Sequence, residues 1–173
     1  MTKKTLYTEL LKNFREIPQC DNNIESYKNY YQAYVKFINE YREFFTDSIL
    51  EKWGLDVLIS INSEEYIVST PDLSLNMEKQ RLSKGEYKDI NTVAMSIRDT
   101  LWDMVTVYSG KDCPITPNDE LRYIKVKLKD NSSKVILECA GCGWVENSEG
   151  EKYAGDFGKV FPVNEKDIKE YIK

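Results

Sequence analysis

Apolar side chains recur at helical spacing through most of the first half of the chain and at strand spacing through much of the second. Leu6, Leu10, Leu11, Phe14 and Ile17 share one side of a helix spanning 4–17, which Pro18 ends. Asn23 is placed to cap a second helix running to Trp53, with Gly54 as its stop. In that segment Ile24, Tyr27, Tyr31, Tyr34, Ile38, Tyr41 and Phe45 step by three and four, and Tyr30, Phe37 and Phe44 form an adjacent stripe. So wide an apolar arc predicts a helix packed on several sides. A tyrosine-rich interface is the alternative, because tyrosine joins a large contact area to a polar tip.

The period then changes. Segments 57–61 and 66–68 read as two short strands, the first also compatible with a buried helical turn. Residues 72–88 are polar and predict a loop with a short helix. Asp89 caps a helix carrying Ile90, Val93, Ala94, Ile97, Leu101, Met104, Val105 and Tyr108, with Gly110 as its C-cap glycine. "KDCPITPND" is a loop stiffened by two prolines. Ile124, Val126 and Leu128 alternate with Lys125 and Lys127, and "KVILEC" follows after a polar turn, which predicts an antiparallel hairpin with one wet face. Residues 144–146 and "GKVFPV" are further short strands. Asn164 caps a last helix with Ile168, Tyr171 and Ile172. This order predicts an α+β fold in a single domain over 1–173, with N-terminal helices packed on a mainly antiparallel sheet and a short C-terminal helix.

Composition narrows the function. With 41% hydrophobic and 31% charged residues, the chain sits well inside the globular range. No stretch is long and apolar enough for a membrane helix, and "MTKKTLYTELLKNF" lacks a signal-peptide pattern, so the expectation is a cytoplasmic protein without membrane attachment. A net charge of −5 argues against nucleic acid as partner and suits a basic protein. The chain contains no histidine, which removes Ser-His-Asp and Cys-His machinery and imidazole metal ligands. No phosphate-binding glycine loop or nucleophile elbow is present either. The expectation is that the protein is not an enzyme and has no catalytic residues.

One run has the look of a motif. "ECAGCGW" places Cys139 and Cys142 in C-x-x-C spacing at the end of a strand. A redox dithiol normally opens a helix, where the dipole stabilises a thiolate; glycines and strand-like residues follow here instead. Zinc fits the local pattern better but needs four ligands. Without histidine, the other two would come from Cys20 and Cys113 or from carboxylates. The plainer reading leaves the thiols reduced and the glycines shaping a tight turn.

The acids offer a different kind of site. Residues 54–110 hold nine acids against five bases, and 138–173 hold eight against five, so negative charge concentrates in the middle and the tail. Glu64 and Glu65 adjoin each other, and Asp99 and Asp103 share one helix face. The loop "ENSEGEKYAGDFG" adds Glu146, Glu149, Glu151 and Asp156 with the aromatic rings of Tyr153 and Phe157. These ten residues are the candidate partner contacts; a solvated helix face and plain surface loop are the alternatives. Together with the tyrosine-rich helices and the acidic balance, the hairpin "VILECAGCGWVENSEGE" resembles bacterial immunity proteins of polymorphic toxin and contact-dependent growth inhibition systems. That resemblance implies a protein that binds and neutralises a cognate toxin domain, often a nuclease, whose basic cleft would complement an acidic surface. The alternative is a zinc-stabilised adaptor or regulatory module built around the C-x-x-C turn.

Overall fold

A computed structural model describes residues 2–17, 24–69, 89–156 and 158–172, with residues 24–26 described by their backbone only. The loop expected over 72–88, the cap at Asn23 and the thiol of Cys20 lie outside the described residues. The helices are α1 (Lys3–Glu16), α2 (Ile24–Glu40), α3 (Asp47–Trp53), α4 (Leu55–Leu58), α5 (Ile90–Val105) and α6 (Glu165–Tyr171). The strands are β1 (Val107–Asp112), β2 (Glu120–Lys127), β3 (Ser133–Glu138), β4 (Val145–Glu146) and β5 (Val160–Phe161). The class is α+β, with the N-terminal helices preceding an antiparallel sheet and a short C-terminal helix. No helix among the described residues is long and apolar enough to cross a membrane. The chain gathers into two compact units, Met1–Ser63 with Val68–Met104 and Glu64–Ile67 with Val105–Lys173.

In the helical unit, the tyrosine stripe is core. Tyr30, Tyr31, Tyr34, Phe37, Ile38 and Tyr41 are all buried, as are Leu10 and Phe14 of α1. Phe14 stands edge-on to Tyr34 and tilted against Phe37, joining α1 to α2 through rings. A buried phenol needs a partner for its hydroxyl. Tyr31 donates to the Leu58 carbonyl at 2.6 Å, the Tyr30 and Tyr34 hydroxyls are 3.2 Å apart, and Tyr41 accepts from Asn13 Nδ2.

The long second helix predicted to Trp53 is broken. After Glu40 the chain makes a tight turn in which the Tyr41 carbonyl accepts from the amides of Phe44 and Phe45. Arg42 holds that turn by donating to the Phe45 carbonyl and to Asp47, and α3 then restarts and ends at Gly54 in the left-handed region, φ 64°. Tyr41, Phe44 and Phe45 stay buried through the break, which is why periodicity passes over it. Strands expected at 57–61 and 66–68 are absent; the first run instead forms the turn of α4, burying Leu55, Val57 and Leu58, and a 3₁₀ turn follows at Ser63–Glu65. A short apolar run carries no period long enough to separate the two outcomes. Asp89 caps α5 as predicted, accepting from the Thr92 amide at 3.1 Å. That helix stops at Val105 rather than Tyr108. Gly110 lies within β1 at φ 78°, where the register with β2 shifts, and is not a helix cap.

In the sheet unit every pair of strands is antiparallel. The order is β1-β2-β3-β4, and β5 takes up the edge of β2 beyond β1. Ile124, Val126 and Ile136 form one core cluster with Tyr153 and Val160 packed on it. The face expected to be wet is also built on: Leu121, Leu137, Cys113 and Cys139 cluster there with Tyr123, Trp144 and Tyr171. The C-terminal helix α6 provides that cover. Its Tyr171 stands edge-on to Tyr123, and its Asp167 pairs with Lys125 at 2.8 Å. Asn164 and Asp167 close a reciprocal capping box at its start, so the cap predicted at Asn164 is present.

Candidate metal centre

Two hairpin turns meet at one end of the sheet. The chain leaves β1 at Asp112, loops through 113–119 and enters β2 at Glu120; it leaves β3 at Glu138, turns through 139–144 and enters β4 at Val145. Arg122 near the start of β2 pairs with Glu138 at the end of β3, so antiparallel pairing puts both turns at the same edge. This register brings Cys113 to the C-x-x-C turn.

The thiols of Cys113, Cys139 and Cys142 all lie within 4.8 Å of one another, and Cys113 Sγ is 3.5 Å from Cys142 Sγ. None of the three is in a disulfide; Cys113 and Cys139 are buried, and Cys142 is exposed. Each turn is held by backbone bonds that fix where the sulfurs point. The Cys113 amide donates to the Asp119 carbonyl at 2.7 Å, closing the first loop across its two prolines. The Cys139 amide donates to the Trp144 carbonyl and Gly143 donates back to the Cys139 carbonyl, with Gly143 at φ 73°, a conformation that glycine supplies without strain.

The electrostatics bring the pKa of one of the thiols close to neutrality. Burial pushes the Cys113 thiol up, but donors outweigh it: the amides of Thr116 and Ile115, at 3.3 and 3.4 Å, and the neighbouring thiols bring it down to about 7. Burial dominates at Cys139 and raises it. Asp119, half-buried, accepts from Cys139 Sγ at 3.6 Å. A shared set of three soft donors, one of them poised to lose its proton, can hold a thiophilic cation. Sequence reasoning had Cys139 and Cys142 and could only offer Cys113 as one of several further ligands. Asp119 was missed, because only the closing of the 113–119 loop brings it to the C-x-x-C turn.

The acidic candidates are scattered. Glu64 and Glu65 are exposed on the 3₁₀ turn, and Glu149 and Glu151 are exposed after β4, their amides bonded to the Asn147 side chain. All four belong to the sheet unit. Asp156 is exposed there as well and pairs with Lys129 at 2.7 Å. Tyr153 is half-buried beneath the Lys134 ammonium, and Phe157 lies outside the described residues. Asp99 and Asp103 are half-buried on α5 in the helical unit, Asp99 paired with Arg98. Glu146 is not a surface acid: it is 2% exposed, accepts from Trp144 Nε1 at 3.2 Å and pairs with Lys111. It sits inside because β4 turns that side chain into the sheet unit, which a two-residue strand does not reveal by alternation. Comparison of the chain with protein-family models, curated proteins and solved structures finds no match.

Proposed function

We propose that this protein is a non-enzymatic binding module whose sheet unit is closed by a structural zinc ion. The convergence of Cys113, Cys139 and Cys142 within 4.8 Å carries this reading. Thiolates select zinc among the common divalent ions, and zinc takes them at about 2.3 Å in a tetrahedron whose S···S edges are then about 3.8 Å. Small movements of the two turns reach that geometry. The ion would clamp the 113–119 loop to the 139–144 turn, reinforcing the turn hydrogen bonds at Cys113, Cys139 and Gly143. Metal analysis of protein purified without added metal tests it. One zinc per chain is expected, with a lowered melting temperature on chelation and loss of binding in Cys139→Ser; substoichiometric zinc together with melting indifferent to chelator refutes it.

A second reading, compatible with the first, gives the module its partner: a cognate toxin domain with a basic surface, neutralised as by the immunity proteins the sequence resembles. It is favoured by four exposed acids, Glu64, Glu65, Glu149 and Glu151, belonging to one compact unit. Reversing all four to lysine would slow association with the co-encoded toxin domain and flatten its salt dependence. Unchanged affinity and unchanged salt dependence in that variant would reject the electrostatic docking model.

A further inference from the structure

Three thiols leave one corner of a tetrahedron to fill. We propose that a carboxylate oxygen of Asp119 fills it, giving a Cys₃Asp zinc centre; the assignment rests on the zinc reading above. Two separate observations lead there.

The first is distance. Asp119 Oδ2 is 3.6 Å from Cys139 Sγ, and Cys113 Sγ is 3.5 Å from Cys142 Sγ. With Zn–S near 2.3 Å and Zn–O near 2.0–2.2 Å, the edges of a tetrahedron are about 3.5 Å for S···O and about 3.8 Å for S···S. The carboxylate is tied to the first ligand through its own backbone, since the Asp119 carbonyl accepts from the Cys113 amide. The carboxylate does not yet lie within 4.8 Å of all three sulfurs, so ligation requires the Asp119 side chain to turn from Cys139 toward the other two.

The second is the glycine at 141. Its backbone is not in the left-handed region, so the turn itself accepts any residue there. Yet a Cβ at this position would collide with the Asp119 carboxylate, and it would also touch Cys139 Sγ at 3.8 Å. A side chain at 141 would thus displace the Asp119 carboxylate from its place against the C-x-x-C turn, and backbone conformation gives no separate reason for glycine there. Gly143, two residues on, is the reverse case, with φ 73° and open space around it. The bare Gly141 leaves room for the Asp119 carboxylate beside Cys139.

A hard oxygen among soft sulfurs gives a weaker and more exchangeable corner than a fourth thiolate would. The test uses the full chain with cobalt(II) in place of zinc, reading sulfur-to-cobalt charge transfer, and zinc affinity by competition with a chelator. The wild type is expected to show three thiolates. Asp119→Ala should lose zinc affinity by at least about 10- to 100-fold, the range lost on removing even an outer-shell partner. Asp119→Cys should bind more tightly and add a fourth thiolate to the spectrum. Gly141→Ala should weaken binding in the wild type and change little in the Asp119→Ala background, a coupling that a merely structural aspartate would not give. Four thiolates in the wild type, reduced to three by Cys20→Ser, would overturn the assignment in favour of Cys20. Stoichiometric zinc with unaltered affinity in Asp119→Ala would overturn it while leaving the three-thiol reading intact. No zinc binding at all would remove both.

Discussion

Replacing Lys111 with methionine isolates what a buried carboxylate costs in this sheet. Glu146 keeps 3% of its side chain exposed, whereas its partner Lys111 keeps 50%. After Lys111→Met, the Glu146 carboxylate retains, among the described residues, one side-chain donor, Trp144 Nε1 at 3.2 Å. Removing one partner of a fully buried pair costs about 3–5 kcal/mol. An exposed pair is worth about 0–1 kcal/mol. Lys111 reaches in from a half-solvated position, and water entering behind the shorter contact recovers part of the loss, so the expected cost is about 2 kcal/mol, between those limits. For a chain of 173 residues, that corresponds to a fall in melting temperature of about 4–8 °C. The readout that places the effect is hydrogen exchange at the amides of Cys139, Gly143 and Tyr153, whose bonds to Trp144, Cys139 and Val145 hold the β3–β4 hairpin and the chain after it. Combining Lys111→Met with Glu146→Gln should return more than half of the stability, because a neutral amide still accepts from Trp144 without a buried charge. A cost below about 0.5 kcal/mol, the range of a surface pair, would refute this reasoning. It would mean that the Glu146 carboxylate is hydrated, and would restore this residue to the acids that could meet a partner.

Further expectations follow from the same geometry. Burial, with the charges of Glu146, Tyr123 and Glu149 adding to it, pushes the Tyr171 phenol from 10.0 up to about 12. A raised folded value means that its contribution to stability is complete below pH 10 and is lost as pH rises toward 12. Spectrophotometric titration should therefore show a phenol ionising near pH 12 that disappears in Tyr171→Phe, and that variant should lack the corresponding alkaline loss of stability. Asn164→Ala removes the side chain that accepts from the Asp167 amide at 2.9 Å and should cost about 1 kcal/mol in urea denaturation. Because Asp167 also pairs with Lys125, faster exchange at the start of α6 should accompany it. Phe14→Ala empties a fully buried site between Tyr34 and Phe37 and should destabilise the helical unit by about 3–5 kcal/mol; a cost under 1 kcal/mol would show that α1 does not close this core.

Hydrophobic spacing was a good guide wherever one element met one core. Leu10 and Phe14, the stripe from Tyr30 to Tyr41, and the run from Val93 to Met104 are buried as their period requires. Capping chemistry is equally local, which is why Asp89 and Asn164 were legible as helix starts. The failures share a cause. The break after Glu40 leaves the apolar period intact, and the contacts that accompany the turn, Arg42 to Phe45 and Asp47, carry no periodic signal. Residues 57–61 carry too few positions to tell a helical turn from a strand. Lys125 alternates as if to face water, but its partner is Asp167, which comes from the far end of the chain.

The candidate site divides along the same line. A C-x-x-C pair ending a strand, an absence of histidine and an acidic balance are properties of residue identity and order, readable without a fold. They bounded the chemistry to thiolates and carboxylates. Which thiol and which carboxylate could not be read there, since Cys113 and Cys142 are far apart in sequence and lie in turns without periodicity. Antiparallel register across β1 to β4 brings Cys113 to Cys139 and Cys142 by stacking the two turns at one end of the sheet, with Asp119 against the same turn. Local order sets which groups are present; the pairing of distant strands sets which of them can touch one ion.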